Sequence, residues 1–112
     1  MDAAILIPAY NEGKTIAEVI LKTKKFSSNI IVIDDGSKDD TSLQAKNAGA
    51  IVLQHRINLG KGAALKTGCD YAVKLGTHKM VVIDADGQHE PKEIPRFLTA
   101  LNEQDIVFGC RK

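Results

Sequence analysis

Short apolar runs alternate along the chain with stretches in which apolar side chains recur every three or four residues. The runs are rich in Ile, Val and Leu, and they predict strands at residues 3–7, 29–33, 50–53, 80–83 and 106–108. Most of these runs are continuous rather than alternating, which is typical of parallel strands covered on both faces.

Helices are predicted between the strands. Thr15 and Glu18 have the spacing of a capping box ahead of the first helix. Asp39 or Thr41 caps the second, which Gly49 ends. The third covers roughly residues 61–75 and is closed by a glycine, and a fourth starts near residue 95. The apolar face of the third helix is expected to comprise Ala64, Gly68, Tyr71, Ala72 and Leu75.

The resulting βαβαβαβαβ order predicts an α/β fold with a doubly wound, mostly parallel, Rossmann-like sheet. Ligands of such sheets bind beyond the carboxyl ends of the strands, where the strand order reverses. Ligand-binding residues are therefore expected in the loops that follow the strands. The chain has 112 residues, enough for one domain, and we expect residues 1–112 to form it.

The loop after the fourth strand carries Asp84, Ala85 and Asp86. Two carboxylates at alternate positions of an extended segment face the same side, where a hard divalent cation, Mg²⁺ or Mn²⁺, would relieve their repulsion. Gln88 adds a neutral oxygen at the next alternate position. A polar turn explains the same residues, and from this motif alone the two interpretations are balanced.

Other post-strand loops are individually ambiguous. Asp35 could accept a hydrogen bond from a nucleoside or simply belong to a turn, and Tyr10 and Glu12 have the same ambiguity. The NLGKG segment at 58–62 brings Lys61 to a helix start, where backbone N–H groups suit an anion, although a flexible glycine turn is favoured slightly. His55 and His78 are expected to be solvated.

Composition narrows the choice of partners. Fifteen basic and fourteen acidic residues give a net charge of +1, and aromatic residues make up 4% of the chain, so no nucleic-acid partner is indicated. The longest apolar runs fall far short of the ~20 residues that span a bilayer. We expect a cytoplasmic domain, peripheral at most to the cytoplasmic face of a membrane.

Four segments occur in order, each after its own strand: IPAYNE (7–12), VIDDGS (32–37), NLGKG (58–62) and DADGQH (84–89). Together they resemble glycosyltransferase family 2, in its polyprenyl-phosphate (dolichyl-phosphate) mannosyl- and glucosyltransferase-like branch. The resemblance implies a GT-A fold and a metal-dependent, inverting transfer of a hexose from a GDP- or UDP-sugar. It also implies an acceptor that is a polyprenyl phosphate.

The resemblance assigns roles by position. Asp86 and Gln88 would hold Mg²⁺ or Mn²⁺, and Arg111 would meet the phosphate of the acceptor. In the GCR segment at 109–111 a cysteine replaces the small hydroxyl residue of the family. The residues implied to contact the nucleotide sugar are Pro8, Ala9, Tyr10, Glu12, Ile33, Asp35, Lys61, Asp84, Ala85 and Asp86.

Family members continue beyond the position of Lys112 with an acceptor-binding region that supplies the catalytic base. We therefore expect a nucleotide-binding portion that binds donor without full activity, forms dimers or larger species, and holds no assignable base. Two alternatives stay open. One is a non-catalytic sugar-nucleotide-binding or oligomerising fragment. The other, which is weaker, is a haloacid-dehalogenase-type phosphatase using Asp84 as nucleophile and Asp86 as acid/base.

Overall fold

A computed structural model of the chain describes residues 3–77, 79–83, 85 and 106–108, the last three as backbone only. Within these residues five strands form one parallel sheet in the order β3-β2-β1-β4-β5. The predicted α/β architecture with a parallel sheet is confirmed. The strands are β1 (Ala4–Ala9), β2 (Ile30–Asp34), β3 (Ile51–Gln54), β4 (Met80–Val82) and β5 (Ile106–Phe108), and the helices are α1 (Ile16–Thr23), α2 (Thr41–Asn47) and α3 (Lys61–Lys74).

Helices cover both faces of the sheet, as the continuous apolar strands predict. Alternate residues of a strand point to opposite faces, so each strand contributes to two cores. Ile5 and Ile7 of β1 pack with Ile16 and Ile20 of α1 on one face. Leu6 packs on the other face in the cluster that contains Ala64 and Ala72 of α3. The fold therefore places β1 at the centre, buried on both sides.

The first strand runs two residues further than expected, through Pro8 to Ala9. Ile5 N–H donates towards β2, at Asn29 O, whereas Ala4 N–H donates towards β4, at Lys79 O. Pro8, an even-numbered residue, thus faces β4 and lacks an N–H to donate. The ladder between β1 and β4 ends at Leu6, while pairing with β2 continues to Ala9. Pro8 is tolerated in a central strand because the two strands part here, at the switch in strand order.

Two of the predicted helix ends differ in detail. Thr15 is the N-cap of α1, but its side chain makes no capping hydrogen bond, and Glu18 instead pairs with Lys22 at 3.1 Å. The predicted capping box is therefore wrong. At α2 the N-cap residue is Asp40, while the Asp39 carboxylate accepts a hydrogen bond from Thr41 N–H at 3.0 Å.

The third helix agrees closely with its prediction. It ends at Lys74, and Gly76 follows with a φ of +94°. Ala64, Gly68 and Ala72 are buried on its inner face, while Leu75, predicted on the same face, follows the helix and is 38% exposed. A Cβ on Gly68 would lie 2.7 Å from Ile33 Cδ1, so the glycine lets α3 lie directly on the sheet. The predicted fourth helix lies outside the described residues.

Candidate functional site

A cleft of about 310 Å³ opens at the carboxyl ends of β1, β2 and β4, at the switch in strand order. Four loops that are distant in sequence meet there, each following a different strand. The lining residues are Pro8, Ala9, Tyr10, Glu12, Asp35, Asn58, Gly60, Lys61, Ala64 and Ala85. Seven of them were proposed from sequence as nucleotide-sugar contacts, and the structure brings these seven together.

The loop after β1 is held in place by the loop after β2. Asn11 adopts a positive φ of 54°, and its N–H donates to Ser37 Oγ at 2.8 Å. Glu12 N–H donates to Thr41 Oγ1 at 2.9 Å. These bonds fix the backbone at Asn11 and Glu12, next to the cleft residue Tyr10, which lies at the mouth with 42% of its surface exposed.

The two adjacent aspartates after β2 have different environments. Asp34 is buried, and its carboxylate accepts hydrogen bonds from Ser37 N–H, at 2.9 Å, and from the Ser42 hydroxyl. Its side chain closes the turn and does not line the cleft. Asp35 does line the cleft, and its N–H donates to Ala9 O at 2.8 Å. Of these two neighbours, Asp34 therefore belongs to the turn and Asp35 lines the cleft.

The Asp35 carboxylate binds groups of the protein itself. Oδ1 accepts hydrogen bonds from Leu59 N–H at 2.9 Å and from His55 Nδ1 at 2.8 Å, and Oδ2 accepts one from Gly60 N–H at 2.9 Å. Burial alone would raise the pKa of Asp35, but the hydrogen bonds from His55, Leu59 and Gly60 outweigh it and hold the pKa below its ordinary value. The carboxylate is therefore ionised at neutral pH.

This arrangement changes the expectation for the start of α3. For the NLGKG segment, the sequence left two interpretations open: backbone N–H groups that bind an external anion, or a flexible glycine turn, which was favoured slightly. The N–H groups of Leu59 and Gly60 are instead occupied by Asp35, whose charge lies at the positive end of the helix dipole. Lys61 and Ala64 of α3 still line the cleft beside this internal anion.

His55 is the functional-site residue that sequence reasoning placed wrongly. It was expected to be solvated, but 11% of its side chain is exposed, and its ring bridges two partners. Nδ1 lies 2.8 Å from Asp35 Oδ1, and Nε2 lies 2.8 Å from Thr67 Oγ1 on α3. The signal that could have located it is its position directly after β3, at the same sheet edge as Asp35.

Ala85 anchors the loop that follows β4. The Thr15 hydroxyl donates a hydrogen bond of 2.7 Å to Ala85 O, and Ala85 is buried at the wall of the cleft. The two aspartates that flank it in sequence, Asp84 and Asp86, lie outside the described residues. Ala85 is the residue of this segment that the structure describes, and it lines the cleft.

The remaining predicted site residues do not line the cleft or lie outside the described part of the chain. Ile33 is fully buried beneath Gly68 and does not reach the cleft, because its position in β2 points it towards α3. Gln88, Arg111 and His78 lie outside the described residues. Among the residues that are described, no three His, Cys, Asp or Glu side chains come together as a metal site.

The sequence model of glycosyl transferase family 2 matches residues 4–112. The chain belongs to this family. The phosphatase alternative is thereby set aside, because the family match covers the whole series of post-strand loops rather than the DAD segment alone.

Relatives of this glycosyl transferase family 2 chain include two enzymes that act on lipid phosphates. It is 35% identical over 127 residues to a UDP-N-acetylglucosamine–dolichyl-phosphate N-acetylglucosaminyltransferase of Methanococcus voltae, covering 96% of the chain and 51% of that protein. It is 31% identical over 119 residues to an undecaprenyl-phosphate mannosyltransferase of Micrococcus luteus, covering 100% and 49%. The chain spans about half the length of the curated relatives it matches.

A solved structure shares the fold. The glucosyl-3-phosphoglycerate synthase of Mycobacterium tuberculosis, crystallised with Mn²⁺, UDP-glucose and phosphoglyceric acid, superposes with a TM-score of 0.74 at 27% identity. The match covers 92% of this family 2 chain and 40% of the synthase. In the part of the chain that the structure describes, no helix is long and apolar enough to cross a membrane.

Proposed function

We propose that the cleft binds a nucleoside diphosphate sugar, preferably a UDP-hexose, and that the protein transfers the hexose to a polyprenyl phosphate. One observation carries this proposal: four loops that follow four different strands meet in a single cleft at the switch in strand order. Each loop contributes a residue to the lining, and the four occur in the order typical of the family.

The nucleoside is proposed to lie between Tyr10 and Asp35. Tyr10 offers an aromatic face at the mouth of the cleft, and Asp35 offers an ionised carboxylate on the opposite loop. An ionised carboxylate accepts hydrogen bonds and donates none, so it suits the N–H of a base or the hydroxyls of a ribose. Glu12 lines the same wall of the cleft.

The diphosphate is proposed to lie between Lys61 and the loop centred on Ala85. Asp86 and Gln88 would hold Mg²⁺ or Mn²⁺, with Asp84 against the sugar, and the metal would offset the negative charge on the leaving nucleoside diphosphate. The placement of Ala85 in the wall of the cleft fits this assignment. Lys61 at the start of α3 brings a cation to the same region, near the charge of the diphosphate.

The acceptor assignment rests on relatives. Two of them are named for transfer to dolichyl phosphate and undecaprenyl phosphate, and Arg111 is proposed to contact that phosphate. The fold neighbour acts on phosphoglyceric acid, so an acceptor with a phosphate is common to all three. Transfer is proposed to be inverting. The 112 residues are proposed to supply donor binding, as a domain about half the length of its relatives.

A thermal-shift panel tests the proposal. The chain would be heated with UDP, UDP-glucose, UDP-N-acetylglucosamine, GDP and GDP-mannose, each with Mn²⁺ and with EDTA. We expect uridine nucleotides to raise Tm in Mn²⁺, and the shift to shrink in EDTA. The absence of a shift with every nucleotide would contradict donor binding, and a larger shift with GDP would contradict the proposed base.

A product assay tests whether residues 1–112 supply sugar transfer in addition to donor binding. Purified protein would be incubated with UDP-hexose, Mn²⁺ and undecaprenyl phosphate or phosphoglycerate, and products would be identified by mass spectrometry. We assign no catalytic base among these residues, and general-base assistance is typically worth ~10²–10⁴-fold, so we expect donor binding with slow transfer. Sugar transfer by this polypeptide at a rate of family enzymes would contradict that expectation.

A further inference from the structure

His55 joins two elements that both contribute residues to the cleft wall. Its ring lies 2.8 Å from Asp35 on the loop after β2 and 2.8 Å from Thr67, in the middle of α3. The backbone N–H of His55 donates to Asp34 O at 2.8 Å. Histidine is an unusual choice for a purely structural bridge at this depth, since both ring nitrogens need a polar partner once water is excluded.

The bonds form a closed ring. Asp35 accepts hydrogen bonds from the N–H groups of Leu59 and Gly60, directly ahead of α3, and His55 ties the same carboxylate to Thr67. The start of α3 and a point almost two turns along it are therefore both fixed to one carboxylate. The ring sets the distance between the loop after β2 and the helix whose residues line the cleft.

Backbone contact between the same loops supports this role. Gly36 has a φ of +77°, and a Cβ at this position would lie 2.4 Å from the carbonyl carbon of Ile57. The loop after β2 therefore lies directly against the loop before α3. The Asn58 side chain adds a hydrogen bond of 3.2 Å to Asp35 O. Together with the hydrogen bonds from Leu59 and Gly60 to Asp35, these contacts hold the two loops together.

The ring also decides which oxygen of Asp35 can take a ligand. Among the described residues, Oδ1 accepts hydrogen bonds from both His55 and Leu59, whereas Oδ2 accepts one, from Gly60. A carboxylate oxygen has two lone-pair directions, so Oδ2 keeps acceptor capacity. Asp35 and Gly60 both line the cleft. By orienting the carboxylate, His55 determines where the free acceptor position of Asp35 Oδ2 lies in the cleft.

We propose that His55 is a positioning residue for donor binding, holding Asp35 so that Oδ2 accepts a hydrogen bond from the base or ribose of the nucleotide. The inference rests on the proposed function, since it names the oxygen and the supporting residue behind the nucleoside contact. His55 itself does not line the cleft and acts through Asp35.

Three variants test the proposal. His55→Ala removes both ring contacts, and His55→Asn keeps an N–H donor close to the position of Nδ1 but cannot reach Thr67. Thr67→Val removes only the hydroxyl that bonds His55 Nε2. Thr67 itself does not line the cleft. The Kd for UDP with Mn²⁺ is measured by calorimetry, and the amide resonances of Leu59 and Gly60 are followed by NMR without nucleotide.

We expect His55→Ala to raise the Kd about tenfold, the effect of losing one hydrogen bond to a charged group. His55→Asn should recover most of the loss, to within roughly threefold of wild type, because the donor to Asp35 is restored. The amide resonances of Leu59 and Gly60, which donate to Asp35, should shift in His55→Ala and return towards their wild-type positions in His55→Asn. A merely structural role predicts no such recovery, since Asn fills much less of the space that the ring occupies.

Two results would overturn the proposal: a Kd in His55→Ala within twofold of wild type, or failure of a folded His55→Asn to recover affinity. If His55→Ala does not fold, Thr67→Val decides, with a Kd rise of about threefold supporting the proposal and an unchanged Kd opposing it. Failure of wild-type protein to bind UDP would refute the proposed function instead. In that case the Leu59 and Gly60 amide resonances alone would test whether His55 holds the Asp35 carboxylate. A shift in His55→Ala would support this role, and unchanged resonances would oppose it.

Discussion

The hydroxyl of Thr15 donates a hydrogen bond of 2.7 Å to the carbonyl oxygen of Ala85, across a sequence separation of 70 residues. The bond joins the start of α1 to the loop after β4, which carries the aspartates proposed to hold the metal. It also explains why Thr15, an N-cap residue by position, does not cap its own helix. The Thr15 hydroxyl therefore fixes Ala85 in the wall of the cleft and does not cap α1.

Thr15→Val tests this contact. The variant should lose about 1 kcal/mol of stability, and its Kd for UDP with Mn²⁺ should rise roughly 3- to 10-fold because the loop after β4 is no longer anchored. Thr23→Val is the matched control, since the Thr23 hydroxyl donates a bond of the same 2.7 Å length, to Val19 O, away from the cleft. Equal binding by the two variants in calorimetry would show that the Thr15 bond does not support the site.

Asp35 should make stability depend on pH. Its folded pKa lies below the ordinary value because hydrogen bonds from His55, Leu59 and Gly60 outweigh the opposing effect of burial. A lowered folded pKa means that the stabilisation is complete above the unfolded value of about 3.9 and is lost as pH falls through the folded value. Urea unfolding of wild type should therefore show falling stability below about pH 4.

The variant Asp35→Asn should be less stable at pH 7 but show a shallower fall below about pH 4. Asp39→Asn is a useful companion, because the Thr41 hydroxyl and the N–H groups of Gly13 and Thr41 likewise lower the pKa of Asp39 against a smaller effect of burial. Each substitution should reduce the dependence of the free energy of unfolding on pH below about pH 4, and the double variant should reduce it further. An unaltered slope in Asp35→Asn would mean that its carboxylate is not held as described.

Two glycines of α3 should respond oppositely to the same substitution. In Gly68→Ala the new Cβ would lie 2.7 Å from Ile33 Cδ1 and 3.4 Å from Leu6 Cδ1, so α3 must lift from the sheet. A loss of about 1–3 kcal/mol is expected. Gly62→Ala adds its Cβ in open space and should gain roughly 0.4–1 kcal/mol through the unfolded state. Chemical denaturation measures both, and a neutral Gly68→Ala would argue against the close packing.

The metal assignment makes a prediction about two carboxylates. Asp86→Asn should raise the Kd for UDP in Mn²⁺ by roughly tenfold or more, because a charged oxygen is lost from the shell of a hard cation. Glu12→Gln, which changes a residue of the cleft wall, should cost only about threefold. In EDTA the Asp86 effect should disappear. Equal losses for the two variants in Mn²⁺ would contradict metal binding by Asp86.

The fold was predictable because the strands are continuous apolar runs with a helical period between them. β2, for example, is Ile-Ile-Val-Ile-Asp with every residue buried, which leaves little choice but a central parallel strand. The end of β1 was not predictable from local rules. Pro8 normally argues against a central strand, and it is accommodated only because β4 diverges at that point, which is a property of the topology.

The candidate site was predictable to the level of its loops. Tyr10, Glu12, Asp35 and Lys61 were singled out in the loops after the strands, Pro8 and Ala85 were added by the family resemblance, and all six line the cleft. Individual contacts across loops were not predictable: a position after β3 places His55 at the same sheet edge as Asp35 without pairing the two side chains, and no local pattern pairs Thr15 with Ala85. Ile33 shows the converse error, because membership of a polar segment did not reveal that its side chain points into the core.

A crystal structure of the chain with UDP and Mn²⁺ tests the central claim most directly. The account predicts density for the nucleotide in the cleft at the carboxyl ends of β1, β2 and β4, with the nucleoside between Tyr10 and Asp35 and a donor of the base or ribose within hydrogen-bonding distance of Asp35 Oδ2. The diphosphate should lie towards Lys61 and Ala85. UDP bound elsewhere on the protein, or a cleft that stays empty at saturating UDP and Mn²⁺, would contradict the account.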